Sequence, residues 1–229
     1  MGIELFVFDF DGTLAHRPGM WSQCLFDVLD THLPGHGVDV AELRVHLHDG
    51  FPWHAPDTPH PELGEPDAWW AQIGDLVTRA YRSVGVDPSD ALPLPRLVRQ
   101  HYCDAAFFQL YDDTVVALEA VRTARARSII LSNHVPELAA IIRDLGLDPL
   151  IDEVFSSAVT GYEKPHPDAF RQALGGIDPL RACMIGDNPV ADKTGAESVG
   201  MTAMLVRHRA ADHATVLDAV RSVLGGGPQ

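Results

Sequence analysis

Two aspartates one residue apart, Asp9 and Asp11, follow an apolar run near the N-terminus and precede Gly12 and Thr13. A carboxylate can act as a nucleophile, and a neighbouring carboxyl can give and take protons. Three further groups end or follow later apolar runs. They are Ser132 with Asn133, Lys164 within Glu163-Lys164-Pro165-His166-Pro167, and Asp187 with Asn188 after Gly186, followed by Asp192. Several carboxylates brought together repel strongly, and a cation among them relieves this. All-oxygen donors favour Mg²⁺, which commonly takes one or two carboxylates and shares a ligand with substrate phosphate. Lys164 stands out because the chain has 15 Arg and only two Lys, the other being Lys193. A compact ammonium between anions differs from a planar guanidinium, so its retention favours a role in the site, whereas Lys193 reads as surface. Each group also has a plainer reading: turn or helix capping for Asp9, Asp11, Ser132, Asn133 and Asp187, and a helix-face acid for Asp192.

The elements that must carry these residues follow from the hydrophobic pattern. Ile3 to Phe8 is short and rich in β-branched and aromatic residues, as a buried strand requires. Ser128–Leu131, Ala182–Ile185 and Thr202–Val206 repeat that pattern, and Glu153–Val159 repeats it more weakly. Helical patterns separate them: Thr114–Arg125, a stretch from Pro136 stopped at Gly146, Pro167–Leu174, Pro189–Val199 and His213–Leu224. Alternating strand and helix implies a parallel sheet covered on both faces. The predicted fold is α/β, a doubly wound parallel, Rossmann-like core over 1–15 and 112–229. Between these, 16–111 carries helical patterns at Met20–His32, Val40–His48, Asp67–Val84 and Leu94–Phe108, with an irregular Asp49–Pro66 and no clear strand. It is too long for a loop and reads as an inserted all-helical subdomain. Gly225–Gln229 reads as a frayed tail. In open α/β sheets ligands bind at the carboxyl ends of the strands, where Asp9, Asp11, Ser132, Asn133 and Asp187 would converge.

Asp9-Phe10-Asp11-Gly12-Thr13-Leu14 resembles the signature of the haloacid dehalogenase superfamily. Ser132 after the second strand, Lys164 before Pro165, and Gly186-Asp187 with Asp192 complete a four-part pattern spanning nearly the whole chain. The helical insertion resembles that family's C1-type cap. The resemblance implies that Asp9 attacks phosphorus and that Asp11 protonates the leaving alkoxide, then deprotonates the hydrolytic water. It implies Mg²⁺ held by Asp9, the Asp11 backbone carbonyl and Asp187. Ser132 and the Asn133 backbone would hold phosphate oxygens, and Lys164 would pair with nucleophile and phosphate. Asp192 would orient Lys164 or a metal-bound water, and Thr13 and Asn188 would support the ligating groups.

Asp11 separates reactions within that family. Halide leaves without a proton, whereas an alkoxide needs one, so Asp11 favours a phosphomonoester hydrolase with a small phosphorylated substrate over a 2-haloacid dehalogenase. No lysine occurs between residues 1 and 163, which argues against a Schiff-base phosphonate cleavage. A phosphomutase, using the same aspartyl-phosphate, and a catalytically silent binding protein on the same fold stay open. Cap residues should choose the substrate. Arg17 reads as a solvated side chain, with an anion contact as the alternative. Trp21, Trp53, Trp69 and Trp70 read mostly as cap packing. His46, His48, His54 and His60 match no compact zinc motif and read as polar cap surface.

The net charge is -15, which argues against a nucleic-acid surface or docking on anionic lipid. Cys24, Cys103 and Cys183 are too few and odd in number for a disulfide framework. They read as small hydrophobes in a reducing compartment. No apolar run reaches the roughly 18 residues of a membrane span, and the N-terminus lacks signal-peptide features. A cytoplasmic monomer or homodimer is expected.

Overall fold

A computed structural model describes residues 2–225. The predicted tail therefore lies, beyond Gly225, outside the described residues. The first strand, β1 (Leu5–Phe8), is buried at every position. Next come β2 (Ala15–His16) and the helices α1 (Met20–His32), α2 (Val40–Val45), α3 (Pro66–Ser83), α4 (Pro88–Ala91) and α5 (Leu94–Tyr102). The chain returns through β3 (Gln109–Leu110), α6 (Thr114–Thr123), β4 (Arg127–Ser132), α7 (Leu138–Asp144), β5 (Glu153–Ser156), α8 (Ser157–Thr160) and α9 (Pro167–Leu174). It ends with β6 (Ala182–Gly186), α10 (Gly195–Ser198), β7 (Thr202–Leu205) and α11 (Val216–Leu224).

Five of the strands form one parallel sheet in the order β5-β4-β1-β6-β7. β1 is central, with Phe8 in register with Ile130 on one side and Ile185 on the other. Alternation along β1 divides the core. Phe6 and Phe8 pack on one face with Leu118 of α6, Ile141 of α7 and Val220 of α11. Leu5 and Val7 pack on the other with Phe170 of α9 and Ala196 of α10. The period of two that places successive side chains on opposite faces thus gives the doubly wound architecture expected from sequence. Because the strands are parallel and their ends align, Asp9, Ser132 and Asp187 come to one edge.

Helices α1 to α5 all lie between β2 and β3, which pair antiparallel as Ala15↔Leu110 and His16↔Gln109. The two crossings into and out of the helical segment are thereby tied side by side. Several boundaries differ from expectation, each for a local reason. The helix expected to run to Phe108 ends at Tyr102, because Asp104 accepts from the Ala106 N–H and starts a separate 3₁₀ turn, Ala105–Phe107. The helix expected over Pro189–Val199 opens as a π-helical stretch, Pro189–Thr194, before α10. There the Asn188 carbonyl accepts from both Asp192 and Lys193, and its side chain caps Val190 and Ala191. The wider turn directs Asp192 inward, to 1% exposure. Among the described residues no helix is long and apolar enough to cross a membrane.

Candidate active site

The chain turns sharply after β1. The Phe10 carbonyl accepts from the N–H groups of Thr13, Leu14 and Ala15 at 3.2, 3.0 and 3.1 Å. Gly12 has φ 82°, and a Cβ there would lie 2.4 Å from Asp187 Oδ2. Only glycine permits this conformation at low cost, and its missing side chain leaves room for the Asp187 carboxylate against the turn. Gly186 makes a second such gap, since its Cβ would lie 2.2 Å from Asp192 Oδ2.

Asp9 sits at the centre. Its Oδ1 accepts from Ser132 Oγ at 2.9 Å and from Lys164 Nζ at 2.7 Å. Among the described residues its Oδ2 has only a long contact with Thr13 Oγ1, 3.5 Å, and is the freer oxygen. Lys164 Nζ also donates to Asp192 Oδ1 at 2.6 Å, and Asp192 Oδ2 accepts from the Asn188 N–H at 2.9 Å. Asn133 uses its side chain structurally: Nδ2 donates to the Lys164 carbonyl at 2.9 Å and Oδ1 accepts from the Lys164 N–H at 2.7 Å. The amide thus clamps the backbone of the residue whose ammonium reaches Asp9.

Charge accounts for the protonation pattern. Burial by itself lowers the Lys164 ammonium, but Asp192 and Asp9 outweigh it and hold it above its ordinary value. Burial and repulsion from Asp9 and Asp187 push the Asp11 carboxyl up to about 8. Burial, then Asp9 and Asp192, push Asp187 up to about 7. Burial outweighs the attraction of Lys164 and pushes Asp192 up to about 6.

Oxygens of Asp9, Asp187 and Asp192 lie within 4.8 Å of one another. This all-oxygen donor set fits a hard divalent cation. Both Asp192 oxygens are already engaged, so Asp9 Oδ2 and Asp187 are the carboxylate groups left to ligate it.

Sequence reasoning did not single out His134. Its ring, 2% exposed, lies with Nε2 3.4 Å from Asp11 Oδ2. Among the described residues neither ring nitrogen has a hydrogen-bond partner, and Asp11 Oδ1 has none either. Burial pushes the imidazole down to about 4, so at neutral pH the pair is not an ion pair. Phe10, Tyr102 and Phe108 surround the ring. Its one sequence signal is position, immediately after Ser132-Asn133.

The helical segment closes over this edge. A cavity of about 490 Å³ is floored by Asp9, Asp11, Ser132 and Asp187 and walled by Trp21, Trp53 and Tyr102. Two expectations for this segment need correction. Arg17 is not solvated. It is 4% exposed, donates to the Tyr102 carbonyl at 3.2 Å and stacks within about 5 Å of Tyr102 and Phe107. Nor is His60 on a polar surface. It is buried, with Nε2 3.0 Å from the buried Glu163 Oε1, and its N–H donates to the Gly161 carbonyl. The tryptophans divide: Trp69 is fully buried and Trp70 donates to Glu137, whereas Trp21 and Trp53 face the cavity.

A parallel α/β core bearing an acidic cluster at its strand ends, under a helical insertion, is the class of fold that the structure defines. The haloacid dehalogenase-like hydrolase family matches residues 3–200, and the chain belongs to that family. It is 30% identical over 141 residues to the human haloacid dehalogenase-like hydrolase domain-containing protein 3, covering 60% of this chain and 55% of that one. It is 31% identical over 143 residues to a phosphoserine phosphatase of Thermus thermophilus, covering 61% and 56%. The chain thus spans little more than half the length of these curated relatives. The putative HAD-hydrolase YfnB of Bacillus subtilis, solved bound to magnesium, superposes with a TM-score of 0.74 at 18% identity, covering 98% and 100%. At that identity the likeness concerns the fold.

Proposed function

We propose that the protein is a Mg²⁺-dependent phosphomonoester hydrolase of the cytoplasm, acting on a small phosphorylated metabolite through a phosphoryl-aspartate on Asp9. The observation that carries this reading is Asp11: a carboxyl beside the nucleophile, facing the cavity, with one oxygen unpaired and its proton retained near neutral pH. A departing alkoxide needs such a proton and a departing halide does not. That weighs against a 2-haloacid dehalogenase, and the intact acidic set weighs against a silent binding protein. The phosphoserine phosphatase among the relatives lends the phosphatase reading further support.

In this mechanism one carboxylate oxygen of Asp9 attacks phosphorus in line while the other is left for the cation, and the bond to the leaving oxygen breaks as that oxygen takes the Asp11 proton. Water then attacks the phosphoryl-aspartate and gives its proton to Asp11, regenerating free Asp9 and releasing inorganic phosphate. Lys164 and Ser132 hold Asp9 in its attacking orientation and offer donors to the transferring oxygens, joined by the Asn133 N–H. Asp192, buttressed by the Asn188 N–H, keeps Lys164 in place. A bound Mg²⁺, with Asp9 and Asp187 as carboxylate ligands and the Asp11 carbonyl as a third, would neutralise charge on the phosphoryl group. The helical segment acts as the cap that covers the site and selects the alcohol.

The test is phosphate release from p-nitrophenyl phosphate with and without Mg²⁺, in the wild type and in Asp9→Asn. The variant is expected to lose about a thousandfold or more. A loss of less than about tenfold removes Asp9 as nucleophile.

A further inference from the structure

The floor of the cavity is strongly charged, and its walls are the opposite. Above Asp9, the sides are Trp21, Trp53 and Tyr102 from the helical segment, facing Val135, Pro165 and Val190 from the core. The aromatic wall is built rather than incidental. Trp21 stacks on Tyr102 with ring centres 3.9 Å apart, and Trp53 stacks on Phe51 at 4.5 Å and 10°. Each ring facing the cavity is therefore backed by another ring that holds it.

Among the described residues, Lys164 is the only Lys or Arg lining this cavity. Its ammonium is held between Asp9 and Asp192, and in the mechanism above its remaining donor goes to the phosphoryl group. Arg17, the nearest cation in sequence to Asp11, is turned away and held by the Tyr102 carbonyl and the His101 side chain and carbonyl. Arg44 lines a separate groove that shares only Met20 and Trp21 with the cavity. His134 also lines the cavity, but its ring is buried among Phe10, Tyr102 and Phe108 with Nε2 turned to Asp11 Oδ2 at 3.4 Å. Four carboxylates, Asp9, Asp11, Asp187 and Asp192, line it as well. Among the described residues, a substrate carrying a second anion beyond its phosphate would find no free cationic side chain in the cavity to meet it.

We infer that the natural substrate is a phosphate monoester of an alcohol that carries no anion and presents a flat apolar or aromatic face to Trp53 and Trp21. This rests on the phosphatase reading above and narrows it. It sets apart carboxylated metabolites such as phosphoserine or phosphoglycolate, and also bisphosphates. Selectivity of this kind is one-sided. An apolar wall gains modestly from a matching ring, whereas an unpaired carboxylate is rejected strongly.

Three primary-alkyl esters with comparable leaving oxygens make the test: propyl phosphate, 3-phenylpropyl phosphate, and the phosphate ester of 3-hydroxypropanoate. Wild-type kcat/KM for the phenyl ester should exceed that for propyl phosphate by about tenfold. That for the carboxylate ester should fall below it by about tenfold or more. Trp53→Ala should bring the phenyl-to-propyl ratio close to unity. Trp53→Arg should raise the carboxylate-to-propyl ratio. Because each readout is a ratio within one preparation, a partly unfolded variant does not move it. A carboxylate ester turned over as well as propyl phosphate, or a phenyl preference that survives Trp53→Ala, overturns the inference and leaves the phosphatase reading intact. No phosphate release from any ester, p-nitrophenyl phosphate included, removes both.

Discussion

Replacing Lys164 by methionine isolates the electrostatics on which the site depends. The side chain is 3% exposed and its ammonium lies 2.7 and 2.6 Å from two carboxylate oxygens. Removing one partner of a buried ion pair costs about 3–5 kcal/mol, because the remaining charge is left uncompensated. Here two such charges remain, with Asp187 close by, so the upper part of that range is expected at pH ~8. The pH dependence has a definite sign. The Lys164 pKa is raised in the fold, so its contribution is complete below its ordinary 10.5 and is unchanged between pH ~6 and ~8. The acids behave differently. Asp192 and Asp187 are already raised to about 6 and about 7 with the lysine present, and without it they rise further. Lowering the pH protonates them in the variant and relieves the repulsion. The cost should therefore shrink by about 1–2 kcal/mol on going from pH ~8 to pH ~6. The assay is urea unfolding of chelator-treated wild type and Lys164→Met at both pH values, so that no divalent cation compensates for the lost ammonium. A cost below about 1 kcal/mol at pH ~8, or one that does not change with pH, refutes this account.

Asp11→Asn should lower kcat on alkyl phosphates by about 10²–10⁴ and on p-nitrophenyl phosphate by clearly less, since nitrophenolate leaves without a proton; equal losses would contradict the role given to Asp11. Burial holds Asp11 and Asp187 at about 8 and about 7, so the cation-free fold binds more protons than the unfolded chain. Chelator-treated protein should then gain thermal stability as the pH falls from ~8 to ~6.5, below which the buried neutral His134 works the other way. Saturating MgCl₂ should oppose that trend by favouring ionised Asp187, and a Tm insensitive to Mg²⁺ at pH ~8 would count against a cation site here. In Gly12→Ala, the added Cβ meets Asp187 Oδ2 at 2.4 Å on a backbone with φ 82°. A loss of about 1–3 kcal/mol and a weaker Mg²⁺ isotherm are expected by urea unfolding and calorimetry.

Much of the site was legible because its signals are local. Asp9, Asp11, Ser132 and Asp187 each end a short apolar run, and parallel strands of similar length bring such ends to one edge of a sheet whatever the loops do. Lys164 was legible from composition, as one of two lysines among 17 basic residues. Boundaries were less so. The π-helical stretch after Asn188 depends on a side-chain cap that competes with regular helix, and apolar periodicity carries no trace of it. The contacts that were missed share another cause. Arg17 is buried by a carbonyl 85 positions away, and His60 finds Glu163 at a separation of 103. Neither residue type announces burial, because a charged or polar side chain goes inside only when a partner is waiting there.

Asp9 and Asp11 mark the same division. The sequence alone determined that they follow a buried strand and so stand at a sheet edge among other oxygen donors. It thereby determined the fold class. Tertiary structure alone decided their electrostatic states. Asp9 is paired with an ammonium from a loop 155 residues on. Asp11 is left unpaired beside a buried imidazole, and both lie under an aromatic wall from the helical segment. Those states follow from desolvation and from charges arriving across space, and neither quantity exists until the chain has closed on itself.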